Sequence, residues 1–170
     1  MVTPHVVLSL GANLGDPLGA LTSALEALAQ TDGVEVLATS SFYGTAPIGG
    51  PDQPDYINAV AVLETTLAPM AILDLAHQIE ADHDRVRQER WGPRTLDIDL
   101  VVYDDVVSED PTLTIPHPRA HQRAFVLVPW HELEPDAVLA TFGPIADLIE
   151  HVKDQDIAVV ASPHHPGPAQ

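Results

Sequence analysis

Apolar and polar positions recur along the chain with the spacings of alternating strands and helices. Residues 5–10 are apolar and β-branched, which predicts a first strand. Asp16-Pro17 then supplies an N-cap and a first-turn proline. The leucines that follow at spacings of three and four predict a helix ending near Gly33. Residues 34–43 and 56–64 predict the next two strands.

The second half of the chain continues the same alternation. The apolar spacing predicts a helix from Pro69 to about Arg87, followed by a polar loop at 88–94. Residues 96–103 predict an alternating strand, with Leu96, Ile98 and Leu100 on one side and Asp97 and Asp99 on the other. The remaining predicted elements are a short edge strand at 106–107, a Pro-rich loop at 111–118, a short helix at 119–130 broken by Pro129, a helix near 145–152 and a strand at 157–161.

The order strand, helix, strand, strand, helix, strand predicts an α/β (α+β) fold. We expect a ferredoxin-like split β-α-β sheet with helices packed on one face. Residues 1–161 are expected to form a single domain, because no repeat or linker divides them, and residues 162–170 to form a disordered tail. Residues 44–55 hold three Gly and three Pro, which predicts a long loop of the kind that often carries function.

Composition and charge narrow the function classes. The 170 residues include no cysteine, which excludes disulfides, thiolate catalysis and iron–sulfur clusters. A net charge of −18 opposes nucleic acid and anionic membranes, whose non-specific binding depends on Lys and Arg. The amino terminus lacks a signal-peptide pattern, and no apolar run reaches the roughly 18 residues of a spanning helix. We therefore expect a soluble cytoplasmic protein with no membrane or nucleic-acid partner.

The few cations are concentrated in one region. Six of the seven lie between positions 85 and 123, and all six are Arg, whose planar fork matches phosphate oxygens. This clustering favours a site for a small polyanion, although salt bridges with neighbouring acids would also explain it. The seven cations are Arg85, Arg87, Arg90, Arg94, Arg119, Arg123 and Lys153.

Asp97 and Asp99 are the most informative residues for chemistry. Side chains at i and i+2 of a strand point to the same face, so two carboxylates stand together on an apolar element. Magnesium ions commonly bind one or two carboxylates together with substrate phosphates, and two metals can share such a pair. A solvent-facing side of an antiparallel strand remains the alternative interpretation.

The residues around this pair suit phosphoryl transfer. Arg94 and Trp91 precede it directly, and Glu80 and Arg87 share a face near the end of the preceding predicted helix. Metal and Arg together neutralise the charge that develops on a transferred phosphoryl group. Trp91 fits either a packing anchor or an aromatic on a closing loop.

Aromatic and amide side chains suggest a second binding region. Tyr56 offers a stacking face, and Asn58 offers donor and acceptor groups that suit a flat heterocycle. Tyr56 and Phe125 are equally compatible with a place in the core. His117 stands between two prolines, where it either donates to a phosphate or serves as a structural loop histidine.

Several sequence motifs occur in collinear order between about residue 5 and residue 150. They are LGANLG at 10–15, SFY at 41–43, DQPDYINA at 52–59, RVR at 85–87, RWGPRTLDID at 90–99, LTIPHP at 113–118 and RAF at 123–125. With these motifs the chain resembles the 6-hydroxymethyl-7,8-dihydropterin pyrophosphokinase family of folate biosynthesis. The run at 90–99 is long enough to make chance agreement implausible.

The resemblance implies a ferredoxin-like fold and transfer of the terminal diphosphate of ATP to the pterin hydroxymethyl group, releasing AMP. It implies two Mg²⁺ ions held by Asp97 and Asp99, with Arg85 and Arg94 assisting transfer. The implied ATP-binding residues are Glu80, Arg85, Arg87, Trp91, Arg94, Leu100, Thr114, His117 and Arg123, with Leu100 and Thr114 acting through their backbone. The implied pterin-binding residues are Thr45, Ala46, Ile48, Tyr56, Asn58, Trp91 and Phe125.

Four positions depart from the family pattern. Pro118 replaces an aromatic, Gln88 a Lys and Thr112 an Arg, and each of these changes removes a phosphate contact; Ala46 replaces a Pro. We therefore expect weaker ATP binding than in members that keep those groups. The resemblance is compatible with a monomer that associates with other folate-pathway enzymes.

Two other function classes compete with an enzyme. A pterin or nucleotide sensor would use the aromatics and leave ATP intact, but it would need no Asp97–Asp99 pair. An RNA-binding module on the same kind of sheet is opposed by the net charge of −18.

Overall fold

The fold is described from a computed structural model that covers residues 3–13, 15–45, 56–90 and 96–164. Helices are α1 (Pro17–Ala29), α2 (Pro69–Arg90), α3 (Ala124–Leu133) and α4 (Ile145–Glu150). The strands are β1 (His5–Ala12), β2 (Val34–Thr39), β3 (Phe42–Thr45), β4 (Tyr56–Thr65), β5 (Leu96–Tyr103), β6 (Ser108–Asp110), β7 (Leu113–Ile115), β8 (Val138–Leu139), β9 (Gly143–Pro144) and β10 (Ile157–Ala161).

One antiparallel sheet organises the structure. Its strand order is β10-β3-β4-β1-β5, and β2 pairs with β4 beyond the end of β3. The elements follow one another as strand, helix, strand, strand, helix, strand, and their strands take the ferredoxin-like order in the sheet. The predicted fold class is therefore confirmed. Central strand β1 pairs along nearly its whole length with both β4 and β5.

The predicted strand at 34–43 is two strands. Ser40 and Ser41 separate β2 from β3, although both strands pair with β4. The interruption is held by Val60, whose carbonyl accepts the Ser40 N–H and whose own N–H donates to Ser40 Oγ, both at 2.9 Å. The serine hydroxyl thus replaces a ladder acceptor, which strand propensity alone does not reveal.

Helices cover both faces of the sheet, and the expectation of one covered face is wrong. On one face, α1 and α2 enclose a core that includes Leu8, Leu25 and Ile72. On the other face, α3 and α4 enclose a second core that includes Trp130 and Ile145. Because the inward residues of a strand alternate between faces, β1 contributes Leu8 to the first core and Val7 to the second.

The alternation predicted for residues 96–103 is confirmed with one irregularity. Ile98 and Leu100 point into the core under α1 and α2, whereas Asp97 is exposed on the opposite face. Pairing with β1 then slips, since Leu8 faces Leu100 and Val7 faces Val102. Val101 is the extra residue of this β-bulge. The two aspartates lie before it, opposite Gly11 and Ser9, on the face where α3 packs.

Several predicted boundaries shift in the structure. Helix α2 runs to Arg90, so residues 88–90 are helical rather than part of a loop. The edge strand predicted at 106–107 is wrong, because β6 begins at Ser108. The loop predicted at 111–118 contains β7, and the helix predicted at 119–130 is a 3-10 turn (Ala120–Gln122) followed by α3, which continues through Pro129.

The start of the predicted tail is packed against the domain. His164 Nε2 lies 2.7 Å from Glu26 Oε1, and the His164 carbonyl accepts a hydrogen bond from Thr39 Oγ1. Residues 165–170 lie outside the described residues, as do residues 46–55 of the predicted long loop. Among the helices that the structure describes, none is long and apolar enough to cross a membrane.

Candidate active site

Strand register brings the amide and the carboxylate pair to one face. Gly11 of β1 lies opposite both Asn58 of β4 and Asp97 of β5, and Ser9 lies opposite Asp99. Neighbouring strands are about 4.8 Å apart, so the backbones at Asn58 and Asp97 are separated by about 10 Å. A glycine stands between them, and the Asn58 side chain lies over the position that a Cβ of residue 11 would take.

Asp99 faces two basic side chains from the segment before α3. Its Oδ2 lies 4.0 Å from His117 Nε2 and 3.9 Å from Arg123 Nη1. All three side chains are partly exposed, with Asp99 at 38%. These separations are longer than hydrogen bonds but within the range of ion pairs, so the three side chains form a loosely paired cluster that is partly open to solvent.

The backbone orients His117. Its N–H donates to the Val101 carbonyl at 3.0 Å, and its Nδ1 accepts the Arg119 N–H at 3.2 Å. Because Nδ1 is an acceptor, the ring proton is on Nε2, the atom that faces Asp99. Burial lowers the pKa of His117, and the nearby Arg123 and Arg119 act in the same direction, while Asp99 opposes the shift.

Glu80 covers the outer edge of β5 between the two aspartates. Its Oε2 accepts the Ile98 N–H at 2.7 Å, which satisfies a donor on the last strand in the sheet order. Burial raises the pKa of Glu80, and the charges of Asp97 and Asp99 add to the effect, while the Ile98 hydrogen bond opposes it. Glu80 therefore anchors the strand that presents the carboxylate pair.

Three residues of the second predicted binding region, Thr45, Tyr56 and Asn58, are neighbours on β3 and β4. Asn58 is only 3% exposed, and its Nδ2 donates to Thr45 Oγ1 at 2.9 Å. Tyr56 pairs with Thr45 across the same two strands. Phe125 is the second residue of α3, and the Arg123 guanidinium carbon lies 5.4 Å from its ring centroid, a cation–π distance. Arg123 thus lies near both the Phe125 ring and Asp99.

Gly11 lies on the same face, where sequence reasoning gave it no role beyond its place in the LGANLG motif, since the strand was predicted to stop there. Strand β1 instead runs through it to Ala12. A Cβ at position 11 would lie 2.8 Å from Asn58 Oδ1. The signal that identifies it is a glycine inside a strand, which often marks the close approach of another group.

Gly11→Ala is therefore expected to displace the Asn58 side chain. Overpacking of this kind costs about 1–3 kcal/mol, which denaturant unfolding would measure. The matched control is the double variant Gly11→Ala/Asn58→Ala. It removes the clashing oxygen, so most of the overpacking cost should disappear. If the double variant loses the summed unfolding free energies of Gly11→Ala alone and Asn58→Ala alone, the contact between the two side chains is not the cause of the Gly11→Ala loss.

Other predicted residues are placed only in part. Arg85 and Arg87 lie on the last turns of α2, and Leu100 is buried in β5. Thr114 Oγ1 donates to the Asp110 carbonyl at 3.0 Å, and Thr112 donates through both N–H and Oγ1 to the Asp110 carboxylate. The predicted residues outside the described ranges are Ala46, Ile48, Trp91 and Arg94. Within the described residues, no three His, Asp or Glu side chains form a complete metal site.

Known proteins are similar to this chain in sequence. Residues 7–135 match the family model described as 7,8-dihydro-6-hydroxymethylpterin-pyrophosphokinase (HPPK). A 2-amino-4-hydroxy-6-hydroxymethyldihydropteridine pyrophosphokinase from Haemophilus influenzae is 43% identical over 154 residues, which cover 91% of this chain and 95% of the relative. A protein of the same name from Methylorubrum extorquens is 44% identical over 132 residues, covering 78% of this chain and 84% of the relative.

Solved structures share the fold. A Plasmodium falciparum HPPK-DHPS triple mutant superposes with a TM-score of 0.70 at 15% identity, covering 88% of this chain and 43% of that chain. An HPPK-DHPS in complex with substrates superposes with a TM-score of 0.71 at 13% identity, covering 91% and 44%. This chain therefore spans less than half the length of these solved chains, and the likeness concerns the fold.

Proposed function

The chain belongs to the 7,8-dihydro-6-hydroxymethylpterin-pyrophosphokinase family, and we propose that the face shared by Asn58, Asp97 and Asp99 is its active site. The protein is an ATP-dependent pyrophosphokinase of folate biosynthesis. The observation that carries the site proposal is the strand register. It sets the backbones of Asn58 and Asp97 about 10 Å apart on either side of Gly11, with Asp99 on the same face opposite Ser9.

The proposed reaction is a direct displacement at the β-phosphorus of ATP. The hydroxymethyl oxygen of the pterin attacks, a new O–Pβ bond forms, and the bond from Pβ to the oxygen shared with the α-phosphorus breaks. The hydroxyl proton is released, and AMP leaves with the electron pair of the broken bond. Positioning and charge neutralisation account for most of the catalysis in such transfers.

The pterin ring is proposed to lie between Tyr56 and Phe125. With Nδ2 of Asn58 donating to Thr45, the amide oxygen is the acceptor offered to an N–H edge of the heterocycle. Thr45, Ala46, Ile48 and Trp91 are proposed as further pterin contacts. The cation–π contact from Arg123 supports the position of the Phe125 ring.

Asp97 and Asp99 fit a magnesium site that substrate completes. Both offer oxygen ligands from one strand face, Asp97 is exposed and Asp99 is partly exposed, so a metal carrying phosphate oxygens can reach them. We propose that they hold two Mg²⁺ ions. Magnesium bound there would neutralise charge on the phosphates of ATP.

ATP is the co-substrate, and its phosphates are proposed to extend from this pair toward His117 and Arg123. Nε2–H of His117 and the Arg123 guanidinium both point to Asp99, where phosphate oxygens would accept from them. The remaining proposed nucleotide contacts are Glu80, Arg85, Arg87, Trp91, Arg94, Leu100 and Thr114, with Arg85 and Arg94 assisting transfer. Weaker ATP binding than in relatives with Lys, Arg and aromatic residues at 88, 112 and 118 stays a prediction.

We propose that residues 1–161 form one pyrophosphokinase domain, because the two cores share a single sheet. We further propose a monomeric cytoplasmic enzyme that is able to associate with other folate-pathway enzymes. Sedimentation at micromolar concentration would test the monomer, and a dimer would contradict it.

Product identity is the deciding experiment. The protein is incubated with Mg²⁺, ATP and 6-hydroxymethyl-7,8-dihydropterin, and the nucleotides are separated. We expect AMP to form only when pterin is present, in equal amount to the pterin diphosphate. ADP as the product would exclude diphosphate transfer, and pterin binding without AMP would favour the sensor interpretation.

A further inference from the structure

Glu132, near the end of α3, holds the start of β3 through its carboxylate. Oε1 accepts the Tyr43 hydroxyl at 2.5 Å, and Oε2 accepts the Ser41 N–H at 3.0 Å and the Ser41 hydroxyl at 3.2 Å. These residues are about 90 positions apart in the chain. One carboxylate therefore fastens a helix on the sheet face to a strand near the sheet edge.

The Tyr43–Glu132 contact is protected from water on the tyrosine side. Tyr43 is 7% exposed, and a short hydrogen bond to a charged acceptor is stronger than one between neutral groups. Burial raises the pKa of Tyr43, and Glu132 raises it further. The phenol is therefore protonated and able to donate throughout the neutral range.

The two anchored elements carry opposite sides of the proposed pterin pocket. Tyr43 lies opposite Asn58 in the β3–β4 pairing, and Thr45, two residues further along β3, accepts the hydrogen bond from Asn58. On α3, Phe125 stands seven residues before Glu132, so both lie on one face of the helix. A shift of α3 relative to β3 would therefore change the gap between Phe125 and the Thr45–Asn58 pair.

We propose that Glu132 and Tyr43 are a positioning pair that sets the width of the pterin pocket, an inference that rests on the proposed function. Neither side chain is assigned to the substrates or the reacting atoms. Loss of the pair should weaken pterin binding selectively, because Asp97 and Asp99 belong to β5 and His117 is hydrogen-bonded to it, whereas Phe125 moves with α3.

Steady-state kinetics of Tyr43→Phe and Glu132→Ala test the proposal. We expect the KM for the pterin to rise about tenfold in each, as loss of one hydrogen bond to a charged group predicts, with the KM for ATP and kcat changed by less than about twofold. Glu132→Gln should restore part of the pterin KM, because its amide oxygen still accepts from Tyr43. The double variant Tyr43→Phe/Glu132→Ala should be little worse than Glu132→Ala, because the two side chains act as one pair.

Two matched controls separate positioning from general loss of stability. Tyr103→Phe removes another hydroxyl from a tyrosine that is 7% exposed, one that donates to the Leu67 carbonyl at 2.7 Å in the other core. Glu134→Ala removes a neighbouring carboxylate that accepts from Trp130 Nε1 and lies against His5. We expect both controls to keep the wild-type pterin KM.

The proposal is overturned if Tyr43→Phe leaves the pterin KM within twofold of wild type. It is also overturned if the pterin and ATP KM values rise together, or if Tyr103→Phe produces the same shift. Calorimetric titration of each variant with 6-hydroxymethylpterin is run in parallel. A wild-type protein that binds the pterin but forms no AMP would refute the proposed reaction, while the binding constants would still decide the positioning role.

Discussion

Replacing Asp97 and Asp99 together by Asn is expected to lower turnover by at least about 10³-fold while the protein stays folded. The physical reason is that Asn keeps the shape of each side chain but removes both negative charges that would hold divalent cations against the phosphates. Neither residue belongs to a buried core cluster, so the substitution should not reduce stability. AMP formation under saturating substrates is the measurement.

Asp105→Asn is the matched control for the aspartate pair, because Asp105 is exposed in the turn beyond the end of β5, and Asp99 and that strand end are about 13 Å apart along the strand. Its turnover should equal that of the wild type. Pterin binding should survive in the Asp97→Asn/Asp99→Asn variant, since Asn58 and Phe125 are untouched. A double Asn variant that still turns over at more than a tenth of the wild-type rate would remove these residues from the mechanism.

Trp130→Ala is expected to destabilise the fold by about 3–5 kcal/mol. Trp130 is 2% exposed at the centre of the core between α3 and the sheet, and its Nε1 donates to Glu134 at 2.9 Å. The substitution would remove its packing and leave a large cavity. Urea unfolding with linear extrapolation measures the loss.

Two further variants provide losses of unfolding free energy with which that of Trp130→Ala is compared. Trp130→Phe keeps much of the packing and loses the indole donor, so its loss should be clearly smaller than that of Trp130→Ala. Phe142→Ala removes an aromatic that is 41% exposed and stacked on His121, and it should cost only about 1 kcal/mol. Equal losses for Trp130→Ala and Phe142→Ala would show that the second core contributes little to stability.

Trp130→Ala is also expected to affect substrate binding at the proposed site. Helix α3 carries Phe125 at its start and Glu132 near its end, so the residue that seats this helix supports both. Where the variant remains folded, its pterin KM should rise before its ATP KM does. This order would distinguish movement of the helix from global unfolding, which lowers the active fraction without favouring either substrate.

The local patterns were sufficient where a structural feature depends on neighbours in the chain. Strand β5 and its Asp97–Asp99 pair follow from alternation, and the start of α1 follows from Asp16, whose side chain accepts the Gly19 N–H at 3.0 Å. The ferredoxin-like class follows from the order of elements. In each case the physical cause, side-chain period or capping, acts within a few residues.

Sequence patterns that extend over only a few residues could not specify which residues distant in the chain pack or pair with one another. An apolar helical stripe shows that α3 is buried on one side, but it does not show which face of the sheet receives it. The strand break at Ser40 depends on a hydrogen bond with Val60, and the role of Gly11 depends on the register that brings Asn58 opposite it. Both are consequences of pairing between strands.

By itself, the sequence determined the class of fold, the phosphate-type chemistry around Asp97 and Asp99, and the family to which the chain belongs. Only the tertiary structure decided that Asn58, Gly11 and Asp97 share one row of the sheet. It also decided that Arg123 links Asp99 to Phe125, and that Glu132 meets Tyr43. The reason is that side-chain period and capping are local properties of a chain, whereas register and helix docking are settled by the packing of the whole sheet.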